Sequence, residues 1–255
     1  MLFDTHAHYD AHQFDEDRDP LLAALPEQGV GWVVDPGCDI PSSQKAVELA
    51  EKYPHVYAAV GFQPEECGSY TSKDLEVIRQ LALSSPKVVA IGEIGLDYYW
   101  PENPPKDLQK QCFRDHMALA SELKLPVIVH DREAHKDSLD IVREFPGVRG
   151  VFHCYSGCVE DALTLVKLGW MVSFTGVVTF KNARKAVEVA AALPVEHIMI
   201  ETDSPYMAPV PYRGKRNHSP YVRHICDRLA EIKGIAPQEM ERITTENALR
   251  FFGIQ

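Results

Sequence analysis

A chain of 255 residues that is 45% hydrophobic and 25% charged has the balance of a folded globular protein and falls near the usual length of one (β/α)8 barrel. Its formal net charge of −11 excludes a protein that coats nucleic acid through a broad basic face, but leaves room for a compact site that takes one strand end. No apolar run approaches the length of a bilayer span, and the N-terminal MLFDTHAHYD has no basic leader followed by an apolar stretch, so the chain is read as cytoplasmic, with no membrane partner.

In chain order, short Val- and Ile-rich runs alternate with longer segments of helical period. The predicted strands are residues 2–8, 32–37, 56–61, 88–94, 127–130, 150–153, 171–176 and 198–203. Between them, helices are predicted over 41–53, 75–83, 108–123, 138–145, 159–168 and 183–193, followed by 220–232 and 237–252. Asp107 is the expected N-cap of the third of these helices, 108–123. In that helix Phe113, Met117, Ala120 and Leu123 recur at three- and four-residue steps, giving one apolar stripe to lie on a sheet. Strand and helix in alternation mean parallel βαβ units, and eight of them close into a single-domain (β/α)8 TIM-like barrel over residues 1–255. Cys38, Cys67, Cys112, Cys154, Cys158 and Cys226 are scattered through a chain too large to need staples and are read as reduced packing residues.

A parallel barrel carries its active site at the C-terminal ends of its strands. His6 and His8 fall at that end of the first predicted strand, Glu93 of the fourth, His130 of the fifth, His153 of the sixth and Asp203 of the eighth. Side chains two apart on a strand share a face, so both imidazoles of His6 and His8 can bind one ion. Independent core histidines would have no reason to select one barrel end. Glu93 interrupts the apolar run Ala90-Ile91-Gly92-Glu93-Ile94; burying an unpaired carboxylate is costly, so it needs a strong partner. His130 and His153 each cap an apolar run and with Glu93 make a nitrogen and oxygen donor set suited to zinc, manganese or nickel. Glu201 has the same parity as Asp203 but lies deeper, which fits a supporting hydrogen bond.

Phe3-Asp4-Thr5-His6-Ala7-His8, Gly92-Glu93-Ile94-Gly95-Leu96-Asp97, the His130-Asp131-Arg132-Glu133-Ala134 run, His153-Cys154-Tyr155-Ser156-Gly157, Glu201-Thr202-Asp203-Ser204-Pro205 and Arg213-Gly214-Lys215-Arg216-Asn217 together resemble the ordered motifs of TatD-type metal-dependent hydrolases. They span nearly the whole chain. The resemblance implies two divalent metal ions (Zn, Mg, Mn or Ni), one held by His6, His8, Glu93 and Asp203 and the other by Glu93, His130 and His153. It also implies hydrolysis of DNA phosphodiester bonds, commonly as an exonuclease. Two positions depart from the family pattern: Gln63 stands where His is common, and His218 follows the Arg213–Asn217 motif where an acid is common. Gln63 can still donate to a phosphate oxygen, but carries no charge.

The mechanism expected from these residues is attack of metal-activated water on phosphorus, with Asp203 and Glu93 as the catalytic carboxylates and Asp203 helping to remove the water proton. Gln63, Arg132, Arg213 and Lys215 are the expected phosphate contacts, and Arg216 adds to a local basic cluster. DNA or another phosphodiester or ester is the expected partner, and no obligate protein partner is evident. The same ions could instead polarise the carbonyl of an ester or amide, including an aminoacyl-tRNA ester. A catalytically silent binding barrel is the third reading, against which the complete ligand set argues.

Overall fold

The computed structural model describes residues 1–255. Strands and helices alternate in the order β1 (Leu2–Asp4), α1 (Arg18–Ala24), β2 (Val30–Pro36), α2 (Ile40–Lys52), β3 (Val56–Val60), α3 (Ser72–Ser84), β4 (Val88–Asp97), α4 (Lys106–Leu123), β5 (Val127–Arg132), α5 (His135–Glu144), β6 (Gly150–Phe152), α6 (Val159–Lys167), β7 (Met171–Phe174), α7 (Arg184–Ala192), β8 (Ile198–Ile200), α8 (Val222–Lys233) and α9 (Pro237–Phe252). The strands form one eight-stranded sheet in sequential order, β1 to β8, which is the parallel (β/α)8 barrel class. No helix is long and apolar enough to cross a membrane.

Two compact units are distinguishable, Met1–Asp35 with Cys154–Gln255, and Pro36–His153. In the first, Phe3 stacks on Trp32 and on Phe252, with ring centroids 6.0 and 5.8 Å apart, so the C-terminal α9 is tied to the first strand. The Thr5 amide donates to the Ile200 carbonyl at 3.1 Å and Ala7 bridges Ser204, making neighbours of the segments that leave β1 and β8. In the second, every residue of β4 is buried, as expected of a strand covered on both faces. Phe113, Met117 and Ala120 of α4 are buried while Leu123 is half-buried, so the expected stripe faces inward except at its last residue.

The boundaries differ from expectation where tertiary pairing decides them. β1 ends at Asp4 and β8 at Ile200, so His6, His8 and Asp203 lie beyond the regular ladder, in segments held by the Asp203 amide to the His6 carbonyl (2.9 Å) and the His8 amide to the Ser204 carbonyl (2.8 Å). β6 stops at Phe152, just before His153, whereas β4 and β5 run on to Asp97 and Arg132. Asp107 is not the cap: α4 begins at Lys106 behind Pro105, and Asp107 sits in its first turn, where a carboxylate opposes the positive end of the helix dipole. The expected helix 220–232 opens as a separate 3-10 turn, Ser219–Tyr221, before α8, and α1 was not anticipated at all.

Gly95 shows how closely β4 approaches β5. Its φ is 138°, and a Cβ there would run into the His130 carbonyl oxygen, the residue it pairs with in the ladder. Gly95→Ala is therefore expected to destabilise by about 2–4 kcal/mol, combining backbone strain with overpacking. Gly234→Ala is the control: its φ is 66° at the end of α8, with nothing near the added Cβ, so only a conformational cost of about 1 kcal/mol applies. Denaturant unfolding of the two variants measures the difference.

Candidate functional site

In the first unit, His6, His8 and Asp203 present one donor atom each toward a common point. The Nε2 atoms of His6 and His8 are 3.1 Å apart, and Asp203 Oδ1 lies 3.8 Å from the first and 3.6 Å from the second. An ion bound at roughly 2.0–2.1 Å in tetrahedral geometry has donors about 3.3 Å from one another, so this triangle has the size of one face of a coordination shell. The three side chains thus fit a divalent cation. Asp203 reaches the cluster through a left-handed backbone, φ 54°, a conformation that Asp tolerates better than most residues. Asp4 holds the preceding residue: its Oδ1 accepts from the Thr202 amide at 2.8 Å and its Oδ2 from the Thr202 hydroxyl at 2.6 Å. Buried Asn217 donates through Nδ2 to the carbonyls of Thr202 (2.8 Å) and Tyr206 (2.6 Å), clamping the turn on both sides of Asp203.

The sequence reading passed over two further carboxylates here. Asp10 Oδ1 is 3.7 Å from His8 Nδ1, and His8, Asp10 and Asp35 offer donor atoms to one another at close range. Burial, reinforced by the charge of Asp10, pushes the Asp35 carboxyl well above the usual range. Glu201 accepts from the Cys154 amide at 2.5 Å, a hydrogen bond to the backbone.

The second unit carries its own cluster. Glu93 Oε1 lies 2.9 Å from His130 Nδ1 and 2.9 Å from His153 Nε2, and those two nitrogens are 3.2 Å apart. This triangle also matches the spacing of donors around one ion. The other nitrogen of His130, Nε2, meets Asp97 Oδ2 at 3.1 Å, which fixes the ring as a carboxylate behind a ligand imidazole does. Burial alone would lower the His130 pKa, but its hydrogen bonds to Asp97 and Glu93 overcome that and raise it to about 9. Burial would likewise raise Asp97, but its bonds to His130 and to the Tyr99 amide bring it below the ordinary carboxylate range. At neutral pH the His130 ring is therefore protonated between the Glu93 and Asp97 carboxylates, and a cation binding through Nδ1 would displace that proton.

A family model described as TatD related DNase matches residues 3–253. The chain belongs to the TatD family. Over 256 residues it is 43% identical to the uncharacterized metal-dependent hydrolase YabD of Bacillus subtilis (strain 168), with all of both chains covered. It is 32% identical to the 3'-5' ssDNA/RNA exonuclease TatD of Citrobacter rodentium (strain ICC168), covering 99% of this chain and 98% of that one. Among solved structures, the TatD homologue YJJV of Escherichia coli K12 is similar with a TM-score of 0.93 at 29% identity, covering 100% of this chain and 98% of that one. The chain is thus a metal-dependent hydrolase of the TatD family on a (β/α)8 barrel.

The TatD motifs contribute unequally beyond the two clusters. Arg132, the last residue of β5, lies with its guanidinium 3.9 Å from the Tyr99 ring centre and 5.3 Å from that of Trp100. Gln63 follows β3, its amide donating to the Cys38 carbonyl at 3.0 Å, and its side chain is half-buried. Arg213 and Lys215 are exposed, the former 4.3 Å over Phe180 and the latter 6.0 Å over Tyr212. Arg216 does not supply the free charge expected of it: its guanidinium pairs with both Asp17 oxygens and with the Gln13 carbonyl, so it fastens a loop. His218 is half-buried and its pKa is lowered, by burial first and then by the charge of Arg216; it stands neutral where the family pattern commonly has an acid.

Proposed function

We propose that the chain is a divalent-metal-dependent deoxyribonuclease that removes nucleotides from the 3' end of DNA. The observation that carries this reading is the position of Arg132, which ends the strand that holds His130 and whose guanidinium forms no hydrogen bond or ion pair within the fold. Such a fork of donors beside a cation-binding triangle suits a phosphodiester far better than a neutral ester. The name of the Citrobacter rodentium relative supports the same direction and polarity.

In this reading His6, His8 and Asp203 hold one divalent ion and Glu93, His130 and His153 a second. A bound divalent ion supplies Lewis acidity, lowering the pKa of water and neutralising charge on a phosphoryl oxygen. The chain's own groups do the rest. Asp203, slightly open to solvent, accepts the proton of the attacking water as oxygen bonds to phosphorus and the bond to the leaving sugar oxygen breaks. Arg132 donates to a non-bridging phosphate oxygen, with Gln63, Arg213 and Lys215 as further contacts to the strand. Asp97 keeps the His130 ring oriented through the cycle. The six free thiols suit a reducing compartment, consistent with a cytoplasmic enzyme.

Protein purified without chelator is expected to carry about two equivalents of divalent metal, and to be stabilised by about 2.7 kcal/mol per site when each ion is present at ~100 times its Kd. Metal analysis with thermal unfolding before and after chelation measures both. Release of nucleotides from a 3'-labelled single strand, compared with deacylation of a charged tRNA, then decides the substrate. Deacylation without nucleotide release would overturn the deoxyribonuclease reading.

A further inference from the structure

The loop between β4 and α4 presents two large rings to solvent on a braced backbone. Tyr99 and Trp100 are 45% and 42% exposed, and their rings meet edge to face, 4.7 Å apart at 86°. Exposed aromatic rings on a slack loop would fold back onto the surface, but this loop is held from several sides. Asp97 Oδ1 accepts from the Tyr99 amide at 2.8 Å. Asn103 Nδ2 donates to the Asp97 carbonyl at 3.2 Å. Buried Gln109 receives the Asp97 amide at 2.9 Å and donates to the carbonyls of Asp97 (3.0 Å) and Pro104 (2.8 Å). Tyr98, just before the pair, is tied down through its hydroxyl to Asp137 at 2.8 Å.

The same Asp97 carboxylate faces His130 with its other oxygen. One side chain therefore sets both the ligand imidazole and the aromatic pair, and Arg132 stacks against both rings with its donors unspent. We infer that Tyr99 and Trp100 form a stacking subsite for an unpaired nucleobase next to the phosphate held by Arg132. This rests on the phosphodiester reading of the site and adds to it the substrate form. A base in a duplex has both faces covered by its neighbours, so a stacking platform selects single-stranded or frayed ends. A rigid platform loses little freedom on binding, and it reads the π-face common to every base, so the preference is for strandedness and not for sequence. The net charge of −11 is compatible with this, because affinity would come from stacking and one phosphate contact instead of a basic groove.

The test uses two single-stranded oligothymidylates, one intact and one with abasic residues on both sides of the terminal phosphodiester. The wild-type enzyme is expected to favour the intact strand by about ten- to a hundredfold in kcat/KM, carried mostly by KM. In Tyr99→Leu/Trp100→Leu that ratio is expected to fall to about one, while Trp100→Phe retains most of it. A ratio near one in an active wild-type enzyme, or an undiminished ratio in the double variant, would overturn the stacking subsite and leave the nuclease reading in place. Failure of the wild type to cleave either strand would instead overturn the nuclease reading. In that event binding decides: in chelator, a saturable quench of tryptophan fluorescence that needs both the bases and Trp100 sustains the subsite, and its absence overturns it.

Discussion

Glu93→Ala is expected to lower turnover by more than about 100-fold, while Gln63→Ala costs about tenfold. Loss of a residue that only orients a ligand typically costs 10–100-fold, and Glu93 is proposed as a ligand itself. Its carboxylate oxygen is the common neighbour of His130 and His153, 2.9 Å from each, and it is 2% exposed. Alanine would leave two imidazoles facing each other with no anion between them, which lowers the affinity of the pair for any cation. Gln63 is neutral, so its removal takes away one contact to the strand. In the proposed arrangement Glu93 serves the ion of His130 and His153, so metal analysis of the variant is expected to show that equivalent weakened. Retention of one full equivalent would assign Glu93 to the His130 and His153 ion alone. Kinetics in excess metal with Gln63→Ala as the more damaged enzyme would reverse the ranking.

The candidate ligands stood out because a His, Glu or Asp ending a run of Val and Ile has few inexpensive explanations, and six such residues at one kind of position have fewer still. The strand order followed from the alternation of short and long periods. Strand ends did not. His6, His8 and Asp203 lie past the ladder because Ala7 bridges Ser204 and the Asp203 amide reaches His6, contacts between residues about two hundred apart that no local pattern reports. Asp97 was present in the Gly-Leu-Asp motif but received no role. Its signal was available: it lies four residues beyond Glu93, hence on the same face of the strand by alternation, and an acid at a buried strand end needs a partner as much as Glu93 does. Asn217 and Asp10 carried no such signal, since neither interrupts an apolar run. The basic cluster misled for a simple reason: proximity in sequence did not show that Arg216 would be taken by Asp17. Tyr99 and Trp100 received no role from the sequence, because the bracing of their loop by Asp97 and Gln109 leaves no local pattern.

Asp203→Asn is expected to keep the fold and much of the bound metal but to lose turnover by about 10²–10⁴-fold, the usual value of general-base assistance. Asparagine keeps the size of the side chain and one carbonyl oxygen, so the position 3.6–3.8 Å from the two Nε2 atoms of His6 and His8 can still hold a donor. The left-handed backbone at this residue, φ 54°, is as well tolerated by Asn as by Asp. The clamp from Asp4 and Asn217 acts on Thr202 and Tyr206 and does not depend on the substituted atoms. What the change removes is the negative charge and the ability to accept a proton from water. Unfolding curves that match the wild type would show that the turn survives, and metal content separates the two roles left. Near-normal metal with a large fall in kcat assigns Asp203 as the base. Metal lost in step with activity assigns it as a ligand before anything else. Turnover close to wild type at saturating substrate and metal would exclude both roles and transfer the proton to another group, with Glu201 the first to substitute.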